Sequence, residues 1–139
     1  MFLKIRSLMT AFLLFITTGL HAQTDNLKAS AAAGLAWVGV IDAGKYEEAW
    51  DRGALTLKLR IPIKSWVTIL EATRKPLGSV LSRNLIDQRT AQNPSGLPAG
   101  DYMVLIYRTD FTAKKGVPEL VTLVLESDGN WRGLTYQVQ

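Results

Sequence analysis

Apolar residues in the first half of the chain recur every three or four positions, which is the spacing of one face of an α-helix. Three such segments predict helices over Lys28–Ala43, Lys45 to about Ala54, and about Pro62–Lys75. Gly44 suits the residue that follows a helix, because glycine adopts the left-handed backbone conformation at low cost. Pro62 suits a first helical turn, where no backbone N–H is needed.

From residue 80 onward apolar and polar residues alternate, which predicts strands with one buried face. The predicted strands are Val80–Ala91, Asp101–Phe111, Val117–Ser127 and Trp131–Val138. Asp128-Gly129 is typical of a two-residue type I′ hairpin turn. Three helices followed by about four antiparallel strands predict an α+β domain, with the N-terminal helices packed on one face of a curved sheet.

The turns also predict which strand residues face each other across the sheet. We count back from the turn at Asp128-Gly129 and from a five-residue turn over Thr112–Gly116. The predicted pairs are Phe111–Val117, Tyr107–Val121, Leu105–Leu123, Val121–Tyr136, Leu123–Leu134 and Glu126–Trp131. The resulting inward face is nearly all apolar and has no carboxylate; its members are Met103, Leu105, Tyr107, Val121, Leu123, Leu125, Leu134, Tyr136 and Val138.

The opposite face of the predicted sheet mixes apolar and polar side chains. Its members are Tyr102, Val104, Ile106, Arg108, Leu120, Thr122, Val124, Trp131, Thr135 and Gln137. An apolar patch there would be a surface for a homodimer or a protein partner. The alternative is a set of scattered exposed apolar residues, which are common on monomers.

The N-terminus has the three parts of a secretory signal. Lys4 and Arg6 precede the apolar run Leu8–Ile16, and the small residue Ala22 follows. The run is shorter than the roughly 20 residues of a membrane-spanning helix. We therefore expect residues 1–22 to be a cleavable signal, residues 23–139 a single periplasmic or secreted domain, and no stable membrane anchor after cleavage. An uncleaved anchor or a buried helix is the alternative.

The composition of the predicted mature chain argues against several classes of function. There is no cysteine, and the only histidine, His21, lies in the predicted signal. The mature chain therefore lacks disulfides, the usual metal ligands and the usual general base, so we predict no metal site and no cofactor. Removing Lys4 and Arg6 lowers the net charge from +4 to +2, and the remaining charges are interspersed. A nucleic-acid partner is not expected, because such proteins usually have a clustered basic face.

The candidate ligand pocket combines aromatic residues of the helices with two arginines and two tyrosines. Its predicted members are Trp37, Tyr46, Trp50, Trp66, Arg74, Arg83, Tyr107 and Tyr136. The aromatic residues on the helices either line a cavity or pack in the core. Arg74 and Arg83 would bind an anion, or Arg74 would simply complement a helix C-terminus.

Several stretches of the chain together resemble the domain-of-unknown-function family 4019. They are Trp37–Trp50, Trp66, Arg74–Gly78, Arg83, Gly100–Tyr102, Phe111, Glu119, Val121–Glu126, Asp128–Arg132 and Tyr136. Thr135 departs from the pattern, where a glycine is expected just before the tyrosine. The resemblance implies a small exported bacterial domain with a cystatin-like or nuclear-transport-factor-2-like layout, and it implies no activity.

These observations favour a non-enzymatic binding or protein-interaction module of the bacterial cell envelope. Its partner would be a small apolar or anionic molecule, or a protein. The alternative is a small enzyme in which Tyr107 or Tyr136 works with a helix carboxylate, Asp42 or Glu47, on a small apolar substrate. A third alternative is a purely structural envelope subunit.

Overall fold

The computed structural model of the protein describes residues 14–139, with side chains from residue 19 onward. Lys4, Arg6 and most of the predicted apolar run lie outside these residues. The first helix, α1 (Leu14–Asp42), begins before the predicted Lys28 and continues without a break through Ala22. Within the described residues, no helix combines the length and the apolar character needed to cross a membrane.

Three shorter helices follow α1. They are α2 (Tyr46–Asp51), α3 (Leu55–Arg60) and α4 (Ile63–Arg74). The predicted second helix ends early, because Gly53 and Ala54 break it, and the sequence pattern did not predict α3. Gly53 is buried, and a Cβ there would lie 2.6 Å from the Leu57 side chain, so the chain turns tightly between α2 and α3.

Four antiparallel strands complete the chain and pair in sequence order. They are β1 (Val80–Gln92), β2 (Asp101–Phe111), β3 (Val117–Leu125) and β4 (Trp131–Val138). The helices pack against one face of this curved sheet, so the predicted α+β fold is confirmed. The core lies between α1 and the inward faces of β2 and β3.

The predicted register of β2 on β3 was wrong by two residues. Thr109, not Phe111, lies opposite Val117. The loop between the strands is longer than predicted, because the Asp110 carboxylate accepts a hydrogen bond from the Gly116 N–H at 2.7 Å. A shift of two residues leaves every side chain on its predicted face, since strand side chains alternate with a period of two.

The register of β3 on β4 was wrong by one residue near the turn. The Gly129 N–H donates to the Glu126 carbonyl, and Gly129 has φ +82°, so the loop has three residues and ends in a left-handed glycine. Trp131 therefore lies opposite Leu125 instead of Glu126. A one-residue shift reverses faces, so Trp131 lies on the inward face, not on the predicted outer face.

A bulge next to Leu123 restores the predicted pair of Val121 with Tyr136. On the turn side of this bulge, Gly133, and not Leu134, lies opposite Leu123. A Cβ at Gly133 would overlap the indole ring of Trp37, so this glycine allows α1 to approach β4 closely. The close approach of α1 to the sheet is therefore made at Gly133, two residues before Thr135.

The outer face of the sheet is partly covered by the loop between β1 and β2. Tyr102 and Val124 are buried, and Leu97 packs against the core cluster that contains them. The Tyr102 hydroxyl donates to the Pro98 carbonyl at 2.7 Å. The predicted interaction face is consequently smaller than the alternation of residues suggested.

Candidate functional site

A carboxylate lies on the inward face near the start of β3, contrary to the prediction of a face without one. Glu119 is 0% exposed. Its oxygens accept hydrogen bonds from the Thr109 and Tyr136 hydroxyls and from the Arg83 Nε, the last at 2.8 Å. Glu119 shares its alternation with Val121 and Leu123, so the strand pattern alone places it inward. The prediction missed it because only apolar positions were assigned to the core.

Asp42 at the end of α1 joins both arginines of the predicted pocket. Its carboxylate accepts from Arg74 Nη1 at 2.9 Å and from Arg83 Nη1 at 2.6 Å. Arg83 therefore bridges Asp42 and the buried Glu119. We name these four residues, Asp42, Arg74, Arg83 and Glu119, the inner charge network. It joins α1, α4, β1 and β3 at one end of the domain.

The inner charge network balances two acids against two arginines. The Arg74 and Arg83 side chains are 5% and 7% exposed. Arg74 lies 5.0 Å from the centre of the Phe111 ring, and Arg83 lies 5.8 Å from the centre of the Tyr107 ring. Such ring contacts suit a guanidinium removed from water. Because both arginines already face carboxylates, they are not free cations for an anionic ligand.

Burial and charge shift the pKa values of the groups around Glu119. Burial alone would lower the pKa of Arg83, but its hydrogen bonds to Asp42 and Glu119 raise the pKa above the ordinary value. Burial, with the Glu119 carboxylate nearby, raises the pKa of Tyr136 well above its usual range. Burial also raises the pKa of Tyr107 to about 12, against the opposing effect of Arg83. Both tyrosines stay protonated at neutral pH.

The carboxylates proposed for catalysis do not meet the two tyrosines. The Asp42 side chain is 24% exposed and accepts hydrogen bonds from the two arginines. Glu47 is exposed and lines an open groove with Tyr46. Tyr136 donates to Glu119 instead. The Tyr107 hydroxyl is buried and has no hydrogen-bond partner among the described residues.

The helix aromatics of the predicted pocket pack among the helices. The Trp37 and Trp66 rings stack with their centres 5.7 Å apart. Three indole N–H groups donate to backbone carbonyls: Trp37 to Ala49 at 2.8 Å, Trp50 to Ile61 at 2.8 Å and Trp66 to Tyr46 at 3.0 Å. The structure thus divides the eight predicted residues between this helix packing and the surroundings of the inner charge network.

A cavity of about 380 Å³ lies at the opposite end of the domain, between α1 and the ends of the strands. We name it the α1 cavity. Its lining residues are Ala22, Gln23, Asn26, Leu27, Thr90, Ala91, Gln92, Asp101, Tyr102, Met103, Leu125 and Trp131. None of the eight predicted pocket residues is among them.

Trp131 distinguishes the α1 cavity from the rest of the core. The chain has four tryptophans, and the indole N–H groups of the other three are bonded to carbonyls. Within the described residues, the Trp131 N–H makes no such bond. Sequence reasoning missed this residue because the one-residue register error placed it on the outer face. No group of three or more acids, histidines or cysteines in the described part of the chain could hold a metal ion.

The fold defines the class of protein: an α+β domain whose helices cover one face of a four-stranded antiparallel sheet. The chain belongs to the family described as "Protein of unknown function (DUF4019)", whose model matches residues 33–136. This confirms the resemblance read from the sequence. A solved protein from Catenulispora Acidiphila is 18% identical, with a TM-score of 0.44, over 90% of this chain and 94% of that one. No curated protein matches the chain.

Proposed function

We propose that the protein is an exported, non-enzymatic binding module of the bacterial cell envelope, which holds a small neutral molecule in the α1 cavity. Export rests on the predicted signal in residues 1–22. Cleavage of this signal would remove Ala22 from the lining of the α1 cavity and keep the other eleven lining residues. The binding role rests on one observation above the others: Trp131 lines the α1 cavity, and its indole N–H has no hydrogen-bond acceptor among the described residues. Binding sites typically combine an apolar wall with a few such polar groups.

The lining of the α1 cavity favours a neutral ligand. Leu27, Met103 and Leu125 supply apolar surface, while Gln23, Asn26 and Gln92 supply amide groups on the same cavity. Amides both donate and accept hydrogen bonds. The ligand chemistry that fits is a small molecule with an apolar body and a few uncharged hydrogen-bonding groups.

An anionic ligand fits the molecule less well. Asp101 is the only charged residue among those that line the α1 cavity, and its carboxylate would repel an anion. The two buried arginines belong to the inner charge network at the other end, where Asp42 and Glu119 neutralise them. Moving Arg83 to a ligand would leave the buried Glu119 without an ion-pair partner, which is costly. Moving Arg74 would leave Asp42 paired with Arg83 alone.

The ion pairs of the inner charge network also favour a binding module over an enzyme. General acid–base catalysis needs a titratable group within hydrogen-bond reach of the substrate. Glu119 is fully buried and already accepts from Thr109, Tyr136 and Arg83. A substrate in the α1 cavity would meet Asp101 as its only carboxylate.

Native mass spectrometry of the protein purified gently from an exporting host tests this proposal. The wild-type protein should carry an extra mass. Trp131→Phe keeps most of the ring but removes the indole N–H, so the association constant should fall about tenfold, as expected when a ligand loses one hydrogen bond of about 1.4 kcal/mol. The fraction of protein that carries the extra mass should fall with it.

Trp50→Phe is the matched control, because its N–H donates to the Ile61 carbonyl and Trp50 does not line the α1 cavity. This variant should lose stability and keep the bound mass. Equal loss of bound mass in the two variants would contradict the proposal. A wild-type protein without bound mass that also takes up no neutral solvatochromic dye would contradict it as well.

A further inference from the structure

A surface on α3 and the start of α4 combines exposed leucines with cations. α3 buries Leu57, which is 1% exposed, and turns Leu55 and Leu59 outward, where they are 63% and 77% exposed. Residues four apart are neighbours on a helix surface. A helix that covers a core normally keeps polar residues on its outer side. The two adjacent leucines thus form an apolar strip that nothing in the described fold covers.

Cations flank this apolar strip and acids are missing from it. The segment from Arg52 to Leu70 contains Arg52, Lys58, Arg60 and Lys64 and no aspartate or glutamate. We name Leu55, Lys58, Leu59, Arg60 and Lys64 the α3 surface. Its three cations make no ion pair with a carboxylate in the described part of the chain.

The contacts that these cations do make leave their charge uncompensated. The Lys58 ammonium lies 5.7 Å from the centre of the Trp50 ring, and Arg60 donates to the Gly96 carbonyl at 2.6 Å. Arg60 and Lys64 are exposed. Neither a ring nor a carbonyl carries a negative charge, so the surface remains positive.

Two acids that border the α3 surface form no ion pair with its cations. Glu126 accepts from the Leu55 backbone N–H at 2.7 Å and forms an ion pair with Arg132. Glu47 borders an open groove with Lys64 but lies beyond ion-pair distance. Arg52, by contrast, is paired with Glu48 and is not part of the surface.

We propose that the α3 surface attaches the protein reversibly to an anionic lipid bilayer. Exposed leucines enter the boundary between headgroups and acyl chains, while lysines and arginines meet the lipid phosphates. The apolar strip accounts for the leucines, and the acid-free segment supplies charge complementarity to the phosphates. This attachment is independent of the ligand in the α1 cavity.

Co-sedimentation with vesicles tests the attachment. The protein is purified from an exporting host and mixed with vesicles of phosphatidylglycerol and phosphatidylcholine, or of phosphatidylcholine alone. Binding should favour the anionic vesicles and weaken as salt is added. Leu55→Ser with Leu59→Ser should lower the partition coefficient about tenfold or more. Lys58→Gln with Lys64→Gln should lower the partition coefficient about fivefold for each cation removed.

The matched control is Leu35→Ser with Leu81→Ser, because these leucines are 55% and 59% exposed but lie on α1 and β1. The control should bind anionic vesicles as the wild type does. Circular dichroism verifies that each variant folds. Equal binding to neutral and anionic vesicles, or an equal loss in the control, would overturn the proposal.

Discussion

At the scale of single residues, Glu119 is held by three donors inside an otherwise apolar face of the sheet. The Thr109 and Tyr136 hydroxyls and the Arg83 guanidinium satisfy its oxygens. A buried charge is tolerated when it is paired and hydrogen-bonded in this way. The inner charge network thus fixes how α1, α4 and the sheet meet, and its residues serve the fold.

Removing the charge of Glu119 tests this structural role. Glu119→Gln keeps the shape of the side chain but leaves Arg83 with a weaker partner, so the free energy of unfolding should fall by about 3 kcal/mol. Urea denaturation measures the change. Glu48→Gln is the control, because Glu48 pairs with Arg52 at the surface. That variant should lose less than about 1 kcal/mol, and an equal loss in both would contradict the role.

The two tyrosines near Glu119 predict a loss of stability at alkaline pH. The folded state keeps their protons above pH 10.0, the ordinary tyrosine pKa, whereas the unfolded state releases them. This contribution is therefore complete below about pH 10 and is lost as the pH rises through the raised values.

Urea denaturation from about pH 8 to about pH 11 measures this effect. The wild-type protein should lose stability more steeply than a variant with Tyr107→Phe and Tyr136→Phe, because phenylalanine does not titrate. The slope against pH is the readout, so a lower starting stability of the variant does not matter. Parallel slopes would show that the two hydroxyls titrate normally in the folded protein.

At the scale of elements, α1 lies against the sheet through a glycine contact. A Cβ at Gly34 would overlap Leu105, which is fully buried, whereas a Cβ at Gly39 would meet no atom within 4 Å. Together with Gly133, which lies under Trp37, Gly34 sets the distance between helix and sheet. The sequence pattern cannot reveal which glycine of a helix faces the sheet so closely, because the contact depends on the final packing.

Two substitutions in the same helix test this contact. Gly34→Ala should destabilise the protein by about 1–3 kcal/mol, the usual range for an overpacked core. Gly39→Ala should stabilise it by up to about 1 kcal/mol, because alanine is the better helix former. Thermal unfolding followed by circular dichroism measures both. Changes of the same sign would contradict the close approach of α1 at Gly34.

Hydrophobic spacing predicted most elements but not their detailed registers. The helix α4 and all four strands were predicted, because the period of their apolar residues is clear over many positions. The helix α3 was missed, because its six residues are too few to show a period. The register on β4 failed, because the loop at Asp128-Gly129 has three residues and a bulge follows.

The candidate site was also predicted only in part from the sequence. Arg74, Arg83 and Tyr136 were picked out, and the structure does bring them together. Their partners Asp42 and Glu119 decide what the cluster does, and these ion pairs join residues far apart in the chain. Trp131 was assigned to the outer face, since a one-residue register error reverses the side chains of β4 between the turn and the bulge.

At the scale of the whole molecule, the two ends of the domain differ in chemistry. The inner charge network closes one end with paired and buried charges. The α1 cavity opens at the other end with apolar and amide side chains. A surface of positive charge and exposed leucines lies on α3, apart from both. This separation predicts that stability and ligand binding respond to different substitutions.

Titration with a neutral solvatochromic dye measures this separation most directly. Leu27→Gln, inside the α1 cavity, should raise the dissociation constant about tenfold, because a polar group replaces apolar wall. Asp42→Asn, which removes the carboxylate between the two arginines, should lower the unfolding temperature and leave the dissociation constant unchanged. An equal loss of dye affinity in both variants would contradict the account, because it would place the binding site at the inner charge network.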